Sequence, residues 1–288
     1  MALARTIAKT AGTAANTAPD ALAALFKLGR PLVMGILNVT PDSFSDGGRF
    51  IDPATAIAHA AEMAQQGADI LDIGAESTRP YGGAKPVGAD EELARLAPVL
   101  PEVAKFGLPV SIDTIKATVA AWALDHGASI VNDVWGLQRD PDMAPLVAER
   151  GVPVIVMHNR DSADASLDIV AEVIAFFTRS LDIAERAGIA REKIVLDPGI
   201  GFGKTPEQSI QCLARLAEFK LFGLPLLVGA SRKRFINTVI PSAPDDRIGG
   251  SIASHLLAVA NGAAIIRAHD VKETVQALRV AAAIEAAR

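Results

Sequence analysis

Short apolar runs alternate with amphipathic segments along most of the chain. Runs typical of buried strands lie at 32–37, 70–73, 110–112, 130–131, 152–157, 194–196, 226–228 and 263–266. Segments with helical periodicity lie at 54–66, 91–103, 116–126, 141–150, 167–187, 206–219, 248–260 and 272–287. Most of these helices end at a glycine just before the next strand, as a helix C-terminus favours. Strict alternation predicts a parallel sheet with right-handed crossovers.

Eight such units predict an α/β fold of the (β/α)8 class, a single-domain TIM barrel over residues 31–288. The rival is an open doubly wound sheet, which needs a glycine-rich turn after its first strand. Residues 38–41 read Asn-Val-Thr-Pro, so that turn is missing. Residues 1–30, rich in Ala and Thr with a few basic residues, form an N-terminal extension that is partly disordered or a short helix. That composition has some likeness to a transit peptide.

Polar residues cluster where the predicted strands end. The carboxyl-terminal face of a (β/α)8 barrel carries the reacting groups of its enzymes, so this one-sided placement indicates an active-site rim. The rim residues are Asn38, Glu76, Ser77, Thr78, Arg79, Asp113, Thr114, Asn132, Asp133, His158, Asn159, Asp197, Ser231, Arg232, Lys233, Arg267 and His269.

The charges on this rim fall into two sets. Cationic groups at Arg79, Arg232 and Arg267, with Lys233 and His269, suit an anion such as a phosphate. The acceptors Asp113, Asn132 and Asp197 follow the strands directly and suit a heterocycle with several N–H donors, such as a 2-amino-4-oxo-pyrimidine. The pattern therefore predicts a site for a flat nitrogenous ring joined to an anion.

Composition excludes several other classes of function. The net charge of −5 gives no electrostatic reason to expect a nucleic-acid partner. No apolar run approaches the roughly 18 residues of a membrane span, and the single cysteine, Cys212, predicts a reducing, cytoplasmic location. The segment 199–205 reads GIGFGKT, but Pro198 occupies the first glycine position of a Walker phosphate loop. We interpret it as a flexible turn after Asp197.

Ordered motifs give the chain a close resemblance to the dihydropteroate synthase family. The first is MGILNVTPDSFSDGG at 34–48, and the second is DIGAESTRP at 72–80. They are followed in order by Asp113-Thr-x-Lys, Asn132-Asp, Leu196-Asp-Pro-Gly, Gly201-Phe-Gly-Lys, Ser231-Arg-Lys and Arg267-x-His. The resemblance covers nearly everything after residue 30.

The resemblance implies a transferase that condenses (7,8-dihydropterin-6-yl)methyl diphosphate with 4-aminobenzoate to 7,8-dihydropteroate and pyrophosphate. It implies a dissociative reaction, a homodimer and a target of sulfonamides. By motif, the pterin ring would contact Asp113, Asn132, Asp197 and Lys233, while Arg79, Arg267 and His269 grip the diphosphate. Asn38 would ligate Mg²⁺, and the aminobenzoate would lie among Thr78, Pro80, Ser231 and Arg232, with Phe44 and Asp46 closing over it.

Two departures from the family pattern leave alternatives open. After the fifth strand the chain reads Met157-His-Asn-Arg-Asp-Ser, where the family often has Met-His-Met-x-Gly-x-Pro. The second motif continues as a somewhat long segment, YGGAKP at 81–86. One alternative is a non-catalytic paralogue that binds pterin without turnover. The other is a methyltetrahydrofolate-dependent methyltransferase that serves a corrinoid protein, which has no need of Ser231-Arg-Lys or Arg267-x-His.

Overall fold

The computed structural model describes residues 21–40, 52–76 and 87–288. Five predicted site residues lie outside these described ranges: Phe44, Asp46, Thr78, Arg79 and Pro80. Residues 1–20 of the predicted extension also lie outside them, and the division at residue 30 stays a prediction.

Eight parallel strands close into a barrel in chain order, which confirms the predicted fold class. The last strand returns to pair with the first, with Met34 level with Arg267. The strands are β1 (Leu32–Asn38), β2 (Ile70–Gly74), β3 (Val110–Asp113), β4 (Ile130–Asp133), β5 (Val154–Met157), β6 (Ile194–Asp197), β7 (Leu226–Val228) and β8 (Ala263–Ala268).

Helices connect the strands around the outside of the barrel. They are α1 (Ala21–Phe26), α2 (Pro53–Gln65), α3 (Ala89–Leu96), α4 (Leu100–Val103), α5 (Ala117–Asp125), α6 (Met143–Arg150), α7 (Ile169–Ala187), α8 (Pro206–Ala214), α9 (Arg234–Val239), α10 (Ile248–Ala260) and α11 (Val271–Ala286). The predicted glycine stops are confirmed; Gly188, for example, ends α7 with a left-handed φ of 85°. No helix in the described ranges is long and apolar enough to cross a membrane.

Two predicted helices were wrong in extent. The segment 91–103 is divided between α3 and α4, because Pro98 has no N–H for a continuous helix. The segment 206–219 leaves α-helical geometry after Ala214 and tightens into a 3-10 turn over Leu216–Phe222. The three-residue repeat of that turn keeps Leu216 and Phe219 on one buried side. The short helix α9 was not predicted.

The amino-terminal half of the barrel interior is sealed by apolar side chains. Leu22 of α1 packs with strand residues that face inward, namely Leu32, Met34, Ile70, Ile130, Ile155, Val195, Leu227 and Ile265. Burying each side chain of this size stabilises the fold by about 1.5–3 kcal/mol. Below this layer Arg30 forms a bidentate pair with Asp69, whose Oδ2 also accepts a hydrogen bond from the Val33 N–H. A ligand therefore approaches the interior from the carboxyl-terminal face.

Candidate active site

Strand register places the acceptor residues at one level of the barrel. Asn38 is paired with Gly74, Gly74 with Asp113, and Asp113 with Asn132. The first four strands extend one or two residues beyond their predicted ends, so these polar groups lie within the sheet and not in loops. A side chain at Gly74 would meet the Asp113 Cβ at 3.4 Å. Gly74 therefore packs directly against Asp113.

The Arg267 side chain of β8 reaches these residues, although its backbone is in register with Met34 of the neighbouring β1. Its Nε donates to Asp72 Oδ2 at 2.6 Å, and its Nη2 donates to Asp113 Oδ2 at 2.8 Å. Asn132 Nδ2 donates to the same Asp72 Oδ2 at 3.1 Å. Side chains from β2, β3, β4 and β8 thus form one buried ionic network.

Asp72 belongs to this network although sequence reasoning assigned it no role. It lies inside the apolar run at 70–73 and is completely buried. A carboxylate is almost never fully buried unless it is paired. An aspartate in the middle of a buried strand was therefore the signal that could have identified Asp72 as part of the site.

Two acceptor atoms in the network have no hydrogen-bond partner among the described residues. They are Asp113 Oδ1 and Asn132 Oδ1, both buried. The second carboxylate oxygen of Asp113 and the amide nitrogen of Asn132 are already engaged. Buried polar groups are normally satisfied, so this pair of orphaned oxygens is a place for N–H donors of a ligand.

Burial also raises the pKa of two site carboxyls. The pKa of Asp113 rises to about 7, opposed by the attraction of Arg267. The pKa of Asp197 at the end of β6 rises to about 6 by the same cause, opposed by the hydrogen bond that its Oδ1 accepts from Gly199 N at 2.7 Å. Carboxylates held partly desolvated in this way are typical of functional sites.

The acceptors lie at the edge of a pocket with one apolar side. The pocket is lined by Asp113, Asn132, Val134, Met157, Asp197, Gly199, Ile200, Phe202, Gly229, Lys233 and Arg267. Lys233 Nζ lies 4.0 Å from the centre of the Phe202 ring, in a cation–π contact. Sequence reasoning predicted the polar members of this set but missed Phe202, the aromatic member, which lies in the glycine-rich segment.

The predicted residues that follow β7 and β8 meet beside this pocket. Ser231 Oγ is 3.2 Å from the His269 backbone N and 3.1 Å from its Nδ1. Arg232 adopts a left-handed φ of 58°, an uncommon conformation for a non-glycine residue. Its guanidinium donates to Asp270 and, at 2.6 Å, to Asp245. Arg232 is thus held by carboxylates on both sides.

Asn38 presents an amide that makes no hydrogen bond to the described residues. Its own backbone belongs to β1, and the next residue, Val39, is tied to Gly74 by a backbone hydrogen bond of 2.8 Å. No group of three or more His, Cys, Asp or Glu side chains arranged to hold a metal ion occurs in the described part of the chain.

An ionic clamp lies at the exit of β2. Glu76 Oε1 accepts from the Val87 N–H at 3.1 Å, and Glu76 Oε2 accepts from Lys116 Nζ at 2.5 Å. Lys116 also donates to the fully buried Glu92 at 2.8 Å. The clamp therefore fixes the two residues that flank positions 77–86, which include the predicted residues Thr78, Arg79 and Pro80.

Comparison with known proteins assigns the chain to a family. The model of a family described as pterin binding enzyme matches residues 34–269. The dihydropteroate synthase of Bacillus subtilis strain 168 is 46% identical over 259 residues, covering 90% of this chain and 89% of that protein.

Solved structures agree with that assignment. A Xanthomonas albilineans dihydropteroate synthase solved with 4-aminobenzoic acid has a TM-score of 0.85 at 46% identity, covering 90% of this chain and 94% of that one. The same enzyme was solved with 7,8-dihydropteroate, with a TM-score of 0.82 at 44% identity over 90% and 95% of the chains. The Yersinia pestis synthase in a sulfonamide drug complex has a TM-score of 0.83 at 42% identity over 91% and 96%. The chain therefore belongs to the pterin binding enzymes and, within them, to the dihydropteroate synthase family.

Proposed function

We propose that this chain condenses (7,8-dihydropterin-6-yl)methyl diphosphate with 4-aminobenzoate, releasing pyrophosphate and 7,8-dihydropteroate. The observation that carries the proposal is the pair of orphaned oxygens, Asp113 Oδ1 and Asn132 Oδ1, beside the buried Asp197. A 2-amino-4-oxo-pyrimidine ring offers adjacent N–H donors that match such acceptors. Hydrogen bonds to a carboxylate are about twice as strong as neutral ones.

The pterin ring would contact both the polar edge and the apolar side of the pocket. Asp113, Asn132 and Asp197 accept from the edge of the pterin, while Phe202, Val134 and Met157 give its faces an apolar surface. Lys233, which lies over Phe202 at 4.0 Å, supplies a donor for a ring carbonyl or ring nitrogen. The ring is thereby oriented with its reactive methylene toward the rim.

The diphosphate end of the substrate needs positive charge at the rim. The Nε and Nη2 atoms of Arg267 donate to Asp72 and Asp113. The third nitrogen, Nη1, makes no hydrogen bond to the described residues. We infer that Nη1 donates to a phosphate oxygen, together with His269 and the predicted Arg79. Charge neutralisation makes diphosphate a good leaving group, and the electron-rich pterin stabilises the resulting cationic methylene, so the reaction is dissociative.

A magnesium ion fits this chemistry through Asn38. Mg²⁺ is commonly held by one or two protein oxygens together with substrate phosphates and water. The Asn38 amide oxygen, unengaged by the described residues, suits such a role. When bound, Mg²⁺ would neutralise charge on the diphosphate.

The amine substrate is assigned to the rim beside Ser231 and Arg232. The fixed Arg232 backbone and the Ser231–His269 contact give that side a defined shape. Thr78, Pro80, Phe44 and Asp46 complete the subsite by family motif. Holding the amine next to the cationic methylene replaces a collision in solution with an oriented attack, and exclusion of water by the closing residues prevents hydrolysis of the cation.

Pyrophosphate release tests this function and separates it from the alternatives. With dihydropterin diphosphate, Mg²⁺ and 4-aminobenzoate, we expect release that requires the amine and yields dihydropteroate. Removal of Mg²⁺ by EDTA is expected to lower the rate at least tenfold, restored by added Mg²⁺. Pterin binding without product would indicate the non-catalytic paralogue, and methyl transfer from methyltetrahydrofolate to a corrinoid would indicate the methyltransferase.

The chain is also proposed to act as a cytoplasmic homodimer. Large apolar side chains are exposed on the neighbouring helices α10 and α11, namely Leu257, Val280 and Ile284. Val280 and Ile284 are four residues apart and share one face of α11. Such a surface suits burial against a second copy.

A charge on that face is expected to give a monomer. Ile284→Glu places a carboxylate where the apolar contact would form, so the dissociation constant should rise at least a hundredfold. Light scattering coupled to gel filtration measures the mass directly. The exposed Leu221 lies in the 3-10 turn Leu216–Phe222 and not on α10 or α11, so it gives a matched control. Leu221→Glu should leave the mass unchanged. An unaltered dimer in Ile284→Glu would contradict this interface.

A further inference from the structure

Lys204 is buried inside the segment that follows β6. The residue is only 1% exposed. Its Nζ lies 2.6 Å from His158 Nδ1, 2.9 Å from the Gly199 carbonyl oxygen and 3.1 Å from the Phe202 carbonyl oxygen. An ammonium group has three donors, and the number of these acceptors matches it. The lysine therefore serves the interior of the segment and does not reach a phosphate at the rim.

His158 is an acceptor in this arrangement. Burial and the neighbouring Lys204 lower the pKa of His158 to about 2, so its imidazole is neutral at physiological pH. Nδ1 then accepts from Lys204, and the ring proton lies on Nε2. Nε2 is buried, and the imidazole packs edge-on against Phe176 with ring centres 4.9 Å apart. The ring is thus held in one orientation.

The carbonyls held by Lys204 belong to two residues that shape the pocket. Gly199 donates its N–H to Asp197, and Phe202 carries the ring beneath Lys233. The segment also packs closely on the exit of β5, since a Cβ on Gly199 would lie 2.0 Å from the His158 carbonyl oxygen. Gly199 has a left-handed φ of 64°. The turn predicted to be flexible is therefore braced on its inner side.

We infer that Lys204, oriented by His158, is a positioning residue for the pterin ring. Its ammonium fixes the Gly199 and Phe202 carbonyls, and thereby presets the Asp197 acceptor and the Phe202 ring before substrate arrives. This inference rests on the proposed function. The GFGK motif at 201–204 would then act by holding the pocket in shape, and not as a phosphate-binding loop or as a connection alone.

The first test replaces the ammonium and measures each substrate separately. Lys204→Met is expected to weaken binding of 6-hydroxymethylpterin about tenfold in calorimetry and to raise KM for the pterin diphosphate similarly. KM for 4-aminobenzoate should change less than threefold, because its predicted contacts lie elsewhere. Arg30→Met, which removes an ion pair at the opposite end of the barrel, is the matched control and should leave both KM values unchanged.

A pH profile supplies a second readout. Burial lowers the pKa of Lys204 to about 8. The charged or titratable groups that face it from the surrounding elements are Asp197, Cys212, Glu172, Arg160 and His158. Deprotonation removes one donor from the brace, so pterin affinity of the parent chain is expected to fall above pH 8. This fall in pterin affinity above pH 8, the alkaline limb of the profile, should be absent in Lys204→Met and retained in Arg30→Met.

His158→Phe keeps the test decisive if Lys204→Met does not fold. The variant preserves an aromatic ring against Phe176 but removes the acceptor, and we expect about a fivefold loss of pterin affinity with little change in KM for the amine. Pterin binding within twofold of the parent in a folded variant, with the alkaline limb intact, would overturn the inference. Failure of the parent chain itself to bind 6-hydroxymethylpterin would instead overturn the proposed function.

Discussion

Replacing Arg267 with methionine is expected to lower kcat/KM at least a thousandfold and to destabilise the fold by about 3–5 kcal/mol. The variant leaves Asp72 and Asp113 buried without their counter-charge, and it removes Nη1 from the predicted diphosphate contact. Removing one partner of a buried ionic network costs far more than the network itself contributes. Steady-state kinetics and urea unfolding measure the two effects.

A second Arg267 variant separates the effect of charge from that of geometry, and a variant at another ion pair serves as the control. Arg267→Lys retains the charge, but a single ammonium cannot span two carboxylates as a guanidinium does, so intermediate losses are expected. Arg30→Met removes a pair whose arginine is 46% exposed, and its cost should stay within about 1 kcal/mol with kcat/KM unchanged. A fully active Arg267→Met would refute the role assigned to the network.

Asp197→Asn is expected to change stability and pterin affinity in opposite directions. Affinity should fall at least a hundredfold, because two charge-assisted hydrogen bonds of about 1.5–3 kcal/mol each are lost or weakened. Stability of the ligand-free protein should rise at pH 7 by up to about 3 kcal/mol, because the cost of burying an ionised carboxylate disappears. The asparagine oxygen can still accept from Gly199 N.

The stability gain should depend on pH with a definite sign. The folded pKa of Asp197 is raised to about 6, above its usual value near 4. The carboxyl therefore favours folding below pH 4, and this contribution is lost as the pH rises through 6. Urea unfolding at pH 4 and pH 7 should show the variant and the parent equally stable at the lower pH and separated at the higher. An equal difference at both values would contradict the assigned pKa.

The alternation of strand and helix was sufficient to predict the barrel. Each apolar run needs burial on both faces, and eight βα units close on themselves, so the fold follows from local pattern. The positions of Asp113, Asn132 and Asp197 followed as well, because residues at the carboxyl ends of parallel strands converge.

Features set by contacts between distant segments could not be predicted in the same way. The inward course of Lys204 depends on acceptors supplied by β5 and by its own turn. The engagement of Arg232 depends on Asp245 and Asp270, which no local pattern connects to it. The position of Asp72 within a buried strand indicates a paired carboxylate, but its partners Arg267 and Asn132 come from distant strands that no local pattern connects to it.

The chain separation within the Arg267 network has a consequence for biosynthesis. Arg267 lies 195 residues after Asp72 and 154 residues after Asp113. During synthesis the two carboxylates are made long before the arginine that neutralises them, and they oppose collapse of the interior until the last strand docks. Closing the seam between β8 and β1 and completing the binding site are therefore the same event. A nascent or truncated chain without β8 therefore leaves Asp72 and Asp113 without their counter-charge, and these two carboxylates resist burial.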